Sequence, residues 1–225
     1  MVIIRLGLDL NSTEFTLPAK LGGKHSTVIA RTIEGRDGRC TPQTPDKALP
    51  TTVIRITCVA AHGLAAFVGW CYTGKIHTVN DGDGKMEWLA LVDAYIAGAT
   101  IRAFPFMDAV IDAVIEKFNT DGQLPPARAI LALAACRFYH VPLETLLVDL
   151  WVYKGSRAER DAITELFGGD AKSVQGTSFI FHLARKLILE KPLTTTAVSD
   201  FKSQPCQYHV HNGSGVKCHR ALRFS

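Results

Sequence analysis

Period-two alternation of apolar and polar residues is confined to the first 57 positions, and every later apolar cluster recurs at helical spacing. A chain written this way can build one small sheet early and must cover it with helices, which predicts an α+β fold. Ile3, Ile4, Leu6, Leu8 and Leu10 largely alternate with Arg5, Gly7 and Asp9, as in a half-buried strand. Asn11-Ser12-Thr13 is turn-like and Glu14-Phe15-Thr16-Leu17 is a short second strand, so the two form a hairpin. The stretch Thr52-Val-Ile-Arg-Ile-Thr57 is rich in β-branched residues and returns to the sheet as a third strand. Between them, Pro18 opens a helix with Leu21, His25, Val28 and Ile29 along one side. Gly22-Gly23 weakens it by about 1 kcal/mol per glycine, which favours a turn in part of it. Residues 34–50, with Gly35, Gly38, Pro42, Pro45 and Pro50, read as an exposed loop.

The helical part is longer. Leu64, Phe67, Val68 and Cys71 define one helix face, and Gly74 is placed for a left-handed cap. Trp88, Leu91, Val92 and Tyr95 define a second helix. Met107, Val110, Ile111, Val114, Ile115 and Phe118 define a third, after a stop at Pro105. Asp108 and Asp112, one turn apart on that helix, read as a solvated face. Pro125-Pro126 opens a further helix bearing Ile130, Leu133, Ala134, Arg137 and Phe138, which Pro142 interrupts. Leu146, Leu147, Leu150, Trp151 and Tyr153 follow, then a short charged piece from Arg157 to Phe167. Phe179, Phe181, Leu183, Leu187, Ile188 and Leu189 complete a last helix.

Five segments of the chain carry a resemblance. Phe67-x-x-Trp70-Cys71-Tyr72-Thr73-Gly74-Lys75-Ile76 is similar to the helix-end signature of BTB/POZ domains. Leu91-Val-Asp-Ala-Tyr-Ile-Ala-Gly-Ala99, followed by Phe104, Met107, Val110 and Ile111, resembles the next two helices of that family. Phe15-Thr-Leu-Pro-Ala-Lys-Leu21 with Ser26 resembles an upstream element, and Tyr208-His-Val-His211 with Cys218 resembles the tail of the fungal branch. Leu143 to Lys154 is similar to a helix of the same branch. The chain departs from the family pattern at Pro18, where a histidine is usual, and at Gly22, where a leucine is usual. The loop before the third strand also lacks the acidic run common there. The resemblance implies a BTB/POZ-like helical cluster flanked by a short three-stranded sheet over residues 1–122. A C-terminal helical extension over 123–190 and a linker with a Cys/His-containing tail over 191–225 follow. It also implies a non-enzymatic protein–protein interaction module. Its partners would be a second copy, other BTB/POZ proteins, a cullin ubiquitin-ligase scaffold or transcriptional regulators. The helical surface around Trp70, Tyr72 and Trp88 is the first place to seek the contact.

Composition excludes several alternatives. With 47% apolar residues the chain can pack a core and is not disordered as a whole. The 25 basic and 21 acidic residues leave +4, all of it in Lys202, Lys217, Arg220 and Arg223, which follow Asp200 with no acidic company. Four such charges suit at most weak, salt-sensitive nucleic-acid binding, the alternative function for this tail. The longest purely apolar run, Ala129 to Cys136, falls far short of the ~18–20 residues of a membrane span. Six cysteines are too sparse for a disulfide scaffold. Cys58, Cys71 and Cys136 lie in apolar surroundings, which points to reduced, buried thiols and an intracellular setting, nucleus or cytoplasm. Gly22-Gly23 lacks the phosphate-loop spacing, and Asp81-Gly-Asp-Gly lacks the remaining ligands of a calcium loop. Histidines 25, 62, 77, 140 and 182 are isolated and read as structural, so no catalytic residue and no small-molecule substrate is assigned.

The tail holds the candidate site. Cys206, His209, His211 and Cys218 combine thiolate and imidazole, the donors Zn²⁺ prefers in closed tetrahedral sites, with His219 as a spare. Gly213-Ser-Gly215 can turn the chain back to Cys218. Two readings stand: a structural zinc that folds the tail, or a metal-free segment whose cysteines and histidines pack locally.

Overall fold

The structure, a computed structural model, describes residues 1–7, 13–35, 52–56, 59–77, 87–135, 141–158, 161, 177–189 and 205–211. Three strands form one sheet: β1 Val2–Leu6, β2 Thr13–Leu17 and β3 Thr52–Ile56, in the order β2-β1-β3. β1 pairs antiparallel with β2 through Ile4↔Phe15 and parallel with β3 through Ile3↔Val53. The hairpin and the returning strand are therefore as expected. A parallel pair needs a long crossover, and residues 18–51 provide it. Alternation sorts the faces: Val2, Ile4, Leu6, Leu17, Ile54 and Ile56 are buried, while Thr13, Glu14 and Thr16 are exposed on the β2 edge.

Two short helices follow β2, α1 Ala19–His25 and α2 Thr27–Ile33. The single helix anticipated after Pro18 is thus broken, and the break falls at Ser26 rather than at Gly22-Gly23, both of which are helical. Ser26 is extended at φ −132°; its Oγ accepts the Ile29 N–H at 3.1 Å and donates to the Ile101 carbonyl at 2.6 Å. One buried hydroxyl therefore caps α2 and ties the break to a turn 75 residues away.

The core is helical. α3 Ala61–Thr73 ends at Gly74, left-handed at φ 66° as the sequence requires. α4 Trp88–Thr100 and α5 Phe104–Asp121 come next, joined by a tight turn at Ile101–Ala103. Pro105 does not stop a helix. It occupies the first turn of α5, where its missing N–H has no intrahelical bond to make. α6 Ala127–Ala135, α7 Val141–Lys154 and α8 Thr177–Leu189 complete the described helices. Pro142 lies in the opening turn of α7, so the helix opened after Pro126 and the one that follows are separate elements, as expected. Phe67 and Phe106 meet edge to face at 5.3 Å, Trp70 lies 5.4 Å from Phe106, and His25 stands 4.8 Å from Trp70. The core is continuous from Val2 to Leu183 and takes in Leu133, Leu146, Leu147, Leu150 and Phe179.

Trp70 and Trp88 are interior, so of the three aromatics proposed for a contact surface only Tyr72 is exposed, at 59%. On α8, Phe181 and Leu187 face solvent rather than the core, because Phe179 and Leu183 fill the buried side. Cys71 is a free thiol whose burial pushes its pKa up to about 12, as expected for a reduced core cysteine. No described helix is long and apolar enough to cross a membrane. The loop at 36–50, the Asp81-Gly-Asp-Gly segment, Cys58, Cys136, His140 and most of Arg157 to Phe167 lie outside the described residues.

α3 and α4 approach closely at Gly63, where a Cβ would stand 2.4 Å from the Asp93 carbonyl oxygen. Beside it, His62 Nε2 lies 2.6 Å from Asp93 Oδ2. Gly63→Ala must push the two backbones apart and is expected to cost about 1–3 kcal/mol. Gly69→Ala, on the same helix with open space around it, should gain about 0.5–1 kcal/mol. Urea midpoints for the two variants should therefore move in opposite directions. Burial holds the Asp93 carboxyl above its usual range, and His62 opposes that shift. A carboxyl raised in this way favours folding when protonated. That contribution is complete below its unfolded value of about 3.9 and is lost as pH rises through the folded value. His62→Ala should raise Asp93 further and extend the loss to higher pH. Carboxyl NMR titration reads this directly, and an unmoved Asp93 would refute the pairing.

Candidate metal centre

Three carboxylates define the place where the tail lands. Asp108 and Asp112 stand one turn apart on α5, and Asp149 projects from α7. Asp108 and Asp112 are not the solvated face that their spacing suggested: Asp108 has no exposed surface and Asp112 is only partly exposed, while Asp149 is buried. The physical reason is that residues 205–211 cover them. A short 3-10 turn, Pro205–Tyr208, brings the tail onto α5 and α7, and His209 to His211 continue from it.

Each carboxylate is matched. Tyr208 donates its hydroxyl to Asp149 Oδ2 at 2.7 Å, and Lys186 from α8 donates to Asp149 Oδ1. Burial and the Asp149 charge push the Tyr208 phenol well above its ordinary range, which keeps it a donor. The Val210 N–H donates to Asp108 Oδ1 at 2.6 Å, and His211 Nδ1 lies 2.6 Å from Asp108 Oδ2. His209, only 3% exposed, places Nε2 3.1 Å from Asp112 Oδ1. The imidazoles of His209 and His211 then stand 5.1 Å apart at 64°.

This arrangement brings Cys206, His209 and His211 together. One ligand atom from each lies within 4.8 Å of the others, so the three could hold a metal ion. A tetrahedral zinc with bonds of 2.0–2.3 Å sets its ligands about 3.3–3.8 Å apart, so closure needs shifts of about 1 Å. The donors are one exposed thiol and two imidazoles, each of which already has a carboxylate at one ring nitrogen. Cys218 and His219, proposed as further ligands, lie outside the described residues, as do Lys202, Lys217, Arg220 and Arg223.

The other described histidines stand elsewhere. His62 pairs with Asp93, His182 Nδ1 lies 3.0 Å from Glu144 Oε1, His25 packs on Trp70, and His77 is exposed. What sequence reasoning missed is the anchoring role of the acids. The signal was there: the tandem Asp108-Ala-Val-Ile-Asp112-Ala-Val-Ile puts two charges on one side of a helical stretch, 104–115, whose other residues are apolar. Asp149 similarly interrupts Leu146-Leu-Val and Leu150-Trp. No family model matches the chain, and no curated protein matches it either.

Tyr208→Phe removes one of the two groups bonded to Asp149 and is expected to weaken tail docking by about 1–3 kcal/mol. The Val210 amide, held by Asp108, is the reporter: its hydrogen exchange should accelerate roughly tenfold to a hundredfold. An unchanged rate would mean that the turn is held by other contacts.

Proposed function

We propose that the chain is a non-enzymatic protein–protein docking module of the BTB/POZ kind, acting by homo- or hetero-oligomerisation. A cullin ubiquitin-ligase or a transcriptional regulator is the class of larger assembly it would serve. The observation that carries this reading is the convergence of the segments that bear the resemblance. Phe67 and Trp70 of the helix-end signature pack on Phe106 of α5, and Ser26 of the upstream element bonds the turn after α4. Tyr208 of the tail motif enters the same core. Surfaces for a partner accompany it. Tyr72 is exposed at the end of α3, and among the described residues no fourth strand pairs with the outer edges of β2 and β3. Edges of this kind capture extended segments through backbone hydrogen bonds. For the tail, the finer reading is a structural zinc ion on Cys206, His209 and His211, with Cys218 the fourth ligand that the spacing supplies.

Light scattering after size exclusion tests self-association. The mass should rise toward a dimer between low and high micromolar concentration, and Tyr72→Ala should weaken that rise without changing the urea midpoint. A strict monomer throughout would overturn the homo-oligomeric form of the proposal.

A further inference from the structure

We propose that Asp108 and Asp112 are the orienting carboxylates of a metal site formed by Cys206, His209 and His211, so that a zinc-type ion stitches the tail to α5. The inference rests on the zinc reading of the tail and is independent of the docking reading. Metal-bound imidazoles characteristically give their second nitrogen to a carboxylate, which fixes the tautomer and ring direction and makes the ligand more basic. Both histidines here have that partner already. Asp108 lies at Nδ1 of His211 and Asp112 at Nε2 of His209, so an ion on these rings would be bound through Nε2 of His211 and Nδ1 of His209.

Charge supports the same assignment. Asp108 is fully buried, yet its hydrogen bonds come from the Val210 amide and His211, and among the described residues no lysine or arginine pairs with it. Lys117, on the same helix, is taken by Asp121 at 2.8 Å. A buried carboxylate needs a counter-charge. A divalent ion behind His211 would supply it through the ring, and Cys206 as thiolate would complete the balance. The Val210 N–H on the other oxygen holds Asp108 in place, so the carboxylate that orients His211 is set before an ion arrives. Asp149 differs: it holds Tyr208 and Lys186 and touches neither imidazole, which makes it the control for docking without orientation.

The test uses the full chain stripped of metal, titrated with Zn²⁺ against a chromogenic chelator and separately with Co²⁺. Wild type should bind one ion, and Co²⁺ should give a thiolate charge-transfer band that Cys206→Ser weakens and that is lost when Cys218→Ser is added. Asp112→Asn should weaken Zn²⁺ binding about 10- to 100-fold and shift the Co²⁺ ligand-field bands while keeping the thiolate band. Asp149→Asn should change affinity by less and leave those bands in place. Asp108→Asn is expected to follow Asp112→Asn; if it does not fold by circular dichroism, the partly exposed Asp112 carries the test. If wild type binds no zinc, the zinc reading itself falls. Zinc bound equally by wild type and Asp112→Asn overturns the orienting role alone. Equal weakening in the Asp112 and Asp149 variants also overturns it, since docking would then explain the whole effect.

Discussion

The structure depends on enclosing α4. Nine residues of that helix are buried, from Trp88 through Gly98, on more than one side of its axis. A helix apolar nearly all round has no face to offer water and must be wrapped. α3, α5 and α6 do the wrapping, and Gly63 lets the α3 backbone come within reach of the Asp93 carbonyl. The turn leaving α4 is clamped by Ser26, so the first helices are recruited to the same centre. The sheet joins the same core with Val2, Ile4, Leu17 and Ile54, β2 packing on α3 and β3 on α2.

Enclosure explains the tail as well. Asp108 and Asp112 on α5 and Asp149 on α7 stand where the tail lands on both helices. A carboxylate there is costly unless something polar closes over it. The tail supplies donors one for one: Tyr208 to Asp149, His209 to Asp112, and the Val210 amide with His211 to Asp108. A segment of seven described residues thereby docks through directional bonds as well as apolar area, with Tyr208 and Val210 packed against the core. Directional docking fixes the spacing of the imidazoles, which apolar contact alone would leave free.

Much of the fold was legible in the chain. Alternation marked the strands, i, i+3, i+4 spacing marked the helices, and Gly74 marked the end of α3 with its left-handed cap. Pro105 read as a stop because a proline breaks a helix interior, but it lies in the first turn of α5, where the same ring is harmless. On α8, Phe179 and Leu183 are buried while Phe181 and Leu187 face solvent, a division that the apolar stretch by itself did not specify.

Local pattern determined which residues could be strand, helix or metal donor, because periodicity and side-chain chemistry are properties of the chain within a few residues. Cys206, His209 and His211 were therefore visible as a group. That Asp108, Asp112 and Asp149 would leave solvent to hold that group was decided only by tertiary structure. Burial depends on what covers a residue, and the cover for Asp108 arrives from about a hundred positions further along the chain.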